Sequence, residues 1–189
     1  MIILQTPRLI IRNWRDDDRD LFHEINSDPV VMEYFPHRRD RAESDALFDF
    51  NRSRITERGF GFYALALAET DEPIGFCGLA LVTVSGIFAD DAIEIGWRLA
   101  HRHWGKGYVT EAGRALLRYG FETRGLDEIV SFAVTQNRRS TAVMERIGLM
   151  RQPERDFDSP RIPDDMPHLK RHVVYALTAE EWRASAAPA

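Results

Sequence analysis

One cysteine, Cys77, stands in 189 residues, which excludes an internal disulfide framework and any multi-cysteine metal cluster. No metal site is expected. Lysine is nearly absent: of the 25 basic residues only Lys106 and Lys170 are lysine, a skew that reads as codon bias. No stretch is apolar over the roughly 20 residues that a membrane-spanning helix needs, so no membrane partner is expected. The opening MIILQTPRLIIRNWRDDD has no basic start and no small-residue cleavage site, so it does not read as a signal peptide, and a cytoplasmic location follows as an expectation. Neither an internal repeat nor a linker of Pro, Gly and Ser interrupts the chain, so residues 1–183 read as a single domain and 184–189 as a disordered tail of small residues. Positive charge is in deficit, with 25 Lys+Arg against 30 Asp+Glu for a net charge of −5, which argues against nucleic acid as a partner.

What is present suits a globular chain. Hydrophobic residues make up 44% and charged residues 29%, and a chain of this length buries about 70% of its unfolded surface. Pro7–Asn13 reads as a strand and Asp16–Asn26 as an amphipathic helix with three aspartates at its positive end. Asp40 and Glu43 form a capping-box pattern for a helix to about Glu57, stopped by Gly59. Gly61–Ala68 and Pro73–Val84 read as hairpin strands turned at Glu69–Glu72. Ala92–Leu99 is a further strand, in which Gly96 signals a bulge or a close backbone approach. A helix over Gly107–Arg124, a strand over Glu128–Val134 and a helix over Asn137–Ile147 follow, then strands at Leu149–Pro153 and Arg171–Leu177. The acidic segment Asp156–His168 between the last two reads as a loop. This order makes an α/β chain with a mixed, largely antiparallel sheet flanked by helices.

The chemistry concentrates in Arg102-His103-Trp104-Gly105-Lys106-Gly107-Tyr108-Val109-Thr110-Glu111. A strand runs into a two-glycine turn and then directly into a helix. Successive backbone N–H groups there, with the positive helix end, make an anion site, and glycine lets a phosphate approach without a Cβ in the way. Lys106 and Arg102 add charge. An ordinary strand-turn-helix is the plain alternative. The segment is not a P-loop, and with Thr110 at the third glycine position it is not a dinucleotide fingerprint.

Arg102, Gly105 and Gly107 match the pattern [QR]-x-x-G-x-[GA], and the segment resembles the acetyl-coenzyme A site of the GNAT acetyltransferase superfamily. The opening Thr6–Arg12, Glu94–Trp97, Gly105–Ala112, Asn137 and Ser140 leading to Gly148–Leu149, and His172–Tyr175 are similar to its Rim-type, ribosomal-protein N-acetyltransferase branch. The resemblance covers essentially the whole chain. It implies a GNAT fold whose sheet splays between the strands Ala92–Leu99 and Glu128–Val134, with acetyl-CoA as cosubstrate. It implies contacts to that cosubstrate from Trp97, Arg98, Leu99, Arg102, Trp104, Gly105, Lys106, Gly107, Tyr108, Val109 and Asn137. Many members place a tyrosine four residues before the Gly148 equivalent as the acid for the departing thiolate. Here that position is Met144, which has no proton to give; the Rim-type branch implies Ser140 instead.

Several of these residues also have plainer readings. Asn137 suits a helix N-cap, and Ser140 a first-turn serine. Glu94, on the strand beside the opening, is a candidate general base or a structural carboxylate. Cys77 reads as a buried structural thiol. Arg138 and Arg139 lie near enough to the glycine turn to offset phosphate charge.

The expected activity is acetyl transfer from acetyl-CoA to a primary amine, of a protein N-terminus or a small molecule, by direct attack in a ternary complex. The alternative is an acetyl-CoA-binding sensor or scaffold with little or no catalysis. The expected partners are acetyl-CoA and the amine, with the chain a monomer or homodimer. In the resembled fold the segment Asp156–His168 borders the acceptor. Its aspartates are either a rim that attracts cationic amines or a solvated surface.

Overall fold

The computed structural model describes residues 1–84 and 86–186. A nine-stranded sheet runs in the order β1-β2-β3-β4-β5-β6-β9-β7, with β8 on β9. The strands are β1 (Ile2–Gln5), β2 (Leu9–Arg12), β3 (Gly61–Leu67), β4 (Pro73–Leu81), β5 (Ile93–Leu99), β6 (Glu128–Val134), β7 (Met150–Arg151), β8 (Phe157–Asp158) and β9 (Arg171–Thr178). The helices are α1 (Arg19–Ser27), α2 (Arg41–Arg58), α3 (Tyr108–Arg118), α4 (Arg138–Ile147) and α5 (Ala179–Ala186).

Every strand pairing is antiparallel except β5–β6. The β4–β5 ladder registers from Gly75↔Leu99 to Leu81↔Ile93, whereas β5 meets β6 at the single pair Glu94↔Val130. The Ser131 hydroxyl, donating to the Ile95 carbonyl at 2.9 Å, ties the two strands just past that pair. Beyond it the strands part, which gives the splayed sheet anticipated above.

The core is made by the apolar faces of the sheet and helices, including Leu9, Ile11, Phe48, Leu65, Ile95, Leu116 and Met144. The Asp40–Glu43 capping box forms as expected, with the Glu43 N–H donating to Asp40 at 2.9 Å and the Asp40 N–H to Glu43 at 3.0 Å. Beneath α1 lies a buried ion pair. Arg12 donates to both carboxylate oxygens of Asp18 at 2.6 and 2.9 Å, and both side chains are almost fully enclosed.

The sheet departs from the sequence reading at its margins. β1 adds an edge strand, and β8 interrupts the expected loop Asp156–His168. The helix expected over Gly107–Arg124 is α3 followed by a wider π turn at Tyr119–Thr123. Gly96 lies in unbroken register opposite Gly78, so there is no bulge. A Cβ there would come within 2.8 Å of the Phe62 ring, so what approaches is a side chain. Residues 184–186 of the expected tail are the last turn of α5, and 187–189 lie outside the described residues.

Candidate active site

Two cavities meet where β5 leaves β6. The first, of about 720 Å³, is bounded by the end of β5 (Trp97, Arg98, Leu99), the turn and start of α3 (Trp104, Gly105, Gly107, Tyr108, Val109) and the start of α4 (Asn137, Arg138, Ser140). Gly105 and Gly107 have φ of 76° and 77°, a left-handed backbone that side-chain-bearing residues rarely adopt. A Cβ would meet no protein atom within 4 Å at Gly105, and only the Arg8 guanidinium, at 3.6 Å, at Gly107. The turn is therefore an open cradle at the positive end of α3, fit for an anion such as a phosphate.

The N-terminal motif serves this cradle across about a hundred residues of chain. The Thr6 hydroxyl donates to Glu111 at 2.6 Å, and the Arg8 backbone N–H and Nε donate to the same carboxylate at 3.0 and 2.6 Å. Arg8 also donates to the Lys106 carbonyl at 3.0 Å. These bonds fix the turn to the β1–β2 corner.

On the α4 side, Asn137 is the helix N-cap, its Oδ1 accepting from the Ser140 N–H at 3.1 Å. That holds the first turn of α4, with Ser140, against the cavity. Met144 is 1% exposed and packs in the core rather than lining the cavity. Arg139 stacks over Trp104 at 4.7 Å and pairs with Glu33 at 2.5 Å.

Most expected contact residues come together here, and two do not. Arg102 and Lys106 are absent from the lining; the Arg102 guanidinium is engaged by Glu24 of α1. Glu94 opens on the second cavity. The sequence reading passed over Val31, Tyr34, Phe35 and Arg146, which also line the first cavity. The only available signal was the aromatic run Tyr34-Phe35 between two predicted helices.

The second cavity, of about 590 Å³, rests on one face of the sheet, where Phe62, Phe76, Ala80, Glu94 and Arg98 form the floor. Its roof comes from the α1–α2 connection and α2, and one wall from Ser159, Arg161 and Ile162. Tyr34, Phe35 and Arg98 line both cavities and mark their junction. Burial pushes the Glu94 carboxyl up to about 7, against a partial downward pull from Arg161. His172 is held below its usual range by burial; it stacks on Phe157, and its Nδ1 lies 2.9 Å from the Lys170 carbonyl. The buried Cys77 thiol is pushed up to about 12, which makes it inert.

None of the aspartates of the acidic loop lines either cavity. Asp156 pairs with Arg151, Asp158 with Arg171 at 3.4 Å, and Asp164 with Lys170. The loop residues that reach the cavity are Ser159, Arg161 and Ile162. Three of these aspartates are thus matched locally, while Asp165 shares no ion pair among the described residues.

Residues 8–150 match the family model described as Acetyltransferase (GNAT) domain. The FsC-acetyl coenzyme A-N(2)-transacetylase of Aspergillus fumigatus is 31% identical over 186 residues, 95% of this chain and 77% of that one. An acetyltransferase (GNAT family) of Bacillus anthracis superposes with a TM-score of 0.78 at 26% identity, covering 96% of this chain and all of that one (100%). The ribosomal-protein acetyltransferase RimL, solved in complex with coenzyme A, shares the fold at a TM-score of 0.75 and 15% identity, over 96% of this chain and 99% of that one. A family match over most of the chain, together with a splayed sheet and a glycine cradle at the expected turn, leads to one assignment: this chain belongs to the GNAT acetyltransferase family.

Proposed function

We propose that the protein is a cytoplasmic N-acetyltransferase that moves the acetyl group of acetyl-CoA to a primary amine within a ternary complex. The observation that carries this reading is the junction of the two cavities at the splay of β5 and β6. One cavity offers a phosphate cradle at its far end, and the other a carboxylate poised near neutrality. The cytoplasmic assignment rests on a chain with no disulfide framework.

In this reading the backbone N–H groups from Gly105 to Val109 and the start of α3 hold the pyrophosphate, with Arg138 and Arg139 offsetting charge. The pantetheine arm lies along Trp97–Leu99, whose β6-facing edge has no ladder partner, and Asn137 borders it. Glu94, directly or through water, takes the proton of the incoming ammonium and leaves a neutral amine. Backbone N–H at Trp97–Leu99 stabilises the oxyanion as the nitrogen–carbon bond forms. When the carbon–sulfur bond breaks, Ser140 donates its proton to the thiolate and regains one from the amine through solvent. The chain supplies chiefly position and field, since amine and thioester already react with one another.

Protein N-termini and small amines remain the two acceptor classes. Presenting short peptides and small amines side by side, with thiol release as the readout, tests the reading. Acceptor-dependent release supports it. Release at the uncatalysed rate with every amine would instead favour the sensor or scaffold, for which only binding is required.

A further inference from the structure

Charge on the second cavity has the opposite sign to the chain. Five arginines line it (Arg39, Arg54, Arg58, Arg98 and Arg161) against one carboxylate, Glu94, in a chain of net charge −5. None of the five shares an ion pair with a carboxylate among the described residues. Elsewhere many arginines share ion pairs, among them Arg12, Arg19, Arg41 and Arg155.

Arg98 is the centre of this imbalance. Its guanidinium donates to Asn26 at 2.5 Å, and Asn26 is itself fully buried and oriented by donating to the Phe22 carbonyl at 2.7 Å. The rings of Phe35 and Phe76 flank the guanidinium at 4.1 and 5.5 Å. Its Nε is buried with no hydrogen-bond partner. Burial and the like charge of Arg39 pull its pKa down to about 9, which still leaves it charged at neutral pH. A charge enclosed among an amide and two phenyl rings is costly unless an anion completes the site. The planar fork of a guanidinium suits a carboxylate or a phosphate.

We propose that the acceptor is an amine that also carries an oxyanion, a carboxylate or phosphate, which Arg98 binds between Phe35 and Phe76 with Arg39 beside it. This rests on the acetyltransferase reading and narrows its substrate class. Glu94 and Arg98 share one face of β5, about 13 Å apart along the strand. An acceptor lying on that face meets a proton acceptor at one end and a guanidinium at the other.

The test pairs amines that differ only in the anion: α-amino acids against their decarboxylated amines, and phosphoethanolamine against ethanolamine. Thiol release from acetyl-CoA is followed for wild type, Arg98→Lys and Arg39→Glu, and calorimetry on the coenzyme A-bound protein reports acceptor binding directly. The expected result is at least a tenfold higher kcat/KM for the anionic member of a pair. Arg98→Lys should raise the KM of that member about tenfold and the KM of its anion-free counterpart far less, and Arg39→Glu should narrow the preference. The pair with the larger ratio separates carboxylate from phosphate. A preference for uncharged or cationic amines overturns the proposal and leaves the acetyltransferase reading standing. So does an Arg98→Lys effect equal on both members of each pair. If no amine releases thiol but anionic amines bind in an Arg98-dependent way, the catalytic reading falls and the anion site stands. If anionic amines neither bind nor react, the site is refuted.

Discussion

At the scale of single residues, Ser140 and Glu94 carry the chemistry of the proposal, and each makes a separable prediction. A proton donor to the leaving thiolate acts in the transition state, so Ser140→Ala should cut kcat about 10²-fold and leave acetyl-CoA affinity nearly unchanged. Rapid-mixing turnover with a calorimetric titration checks both halves. Near-normal turnover would move the role to water. For Glu94, kcat/KM should climb about tenfold per pH unit below a pKa of about 7 and level above it, and Glu94→Gln should flatten that limb. The same shift acts on stability. The native state keeps a proton that the unfolded chain releases near 4.5, so stability falls as pH rises from 4.5 through about 7 and is then level. Glu94→Gln escapes that loss. Its melting temperature should therefore gain on wild type as pH is raised from about 5 to about 8, and a constant difference would contradict the shifted carboxyl. The sequence marks Glu94 only as a carboxylate beside an opening. Its shift comes from burial in the folded cavity, which no local window contains. Arg98 was legible as part of a coenzyme strand by its backbone. That its side chain also floors the second cavity depends on strand alternation and on the buried amide of Asn26.

At the scale of elements, the turn into α3 was legible because its signal is local: two glycines, then a helix. A branched side chain at Gly107 must adopt an unfavourable φ and intrude on the cradle. Gly107→Val should weaken acetyl-CoA binding tenfold or more by calorimetry, in a variant that still unfolds cooperatively. Unchanged affinity in such a variant would remove the cradle from the site. The Arg12–Asp18 pair tests the support beneath α1. Asp18→Ala leaves a buried guanidinium with the partly exposed Asp71 as its one remaining carboxylate partner among the described residues, and should cost about 3–5 kcal/mol in denaturant unfolding. A loss below 1 kcal/mol would show the pair to be dispensable. The elements that escaped the sequence reading are short or marginal. β1 is four residues cut off by Pro7, and β8 is two residues whose pairing is set by β9. α5 begins directly at the end of β9, where Thr178 takes up Glu181 in reciprocal bonds at 2.8 and 3.2 Å. The pairing of Asp156, Asp158 and Asp164 escaped for a related reason. Charge is visible in sequence, but the arginines and lysine that match it arrive by folding.

At the scale of the molecule, the proposed function rests on the parting of β5 from β6. β5 holds β4 along its whole length and releases β6 after one pair, and two cavities of different character meet at the gap. The first is walled by a helix start and a glycine turn, the second by aromatic rings and arginines. In the proposed function the coenzyme takes the first cavity and the acceptor the second, and the two meet at Arg98, which lines both. The most direct test of direct transfer is a product balance. The protein is incubated with acetyl-CoA and an accepted amine, then free thiol, N-acetylated product and intact protein mass are measured in one sample. The account predicts one N-acetyl product for each thiol released and no acetyl group on the protein at any time. An acetylated protein that forms at the rate of turnover and passes its acetyl group to added amine would contradict it.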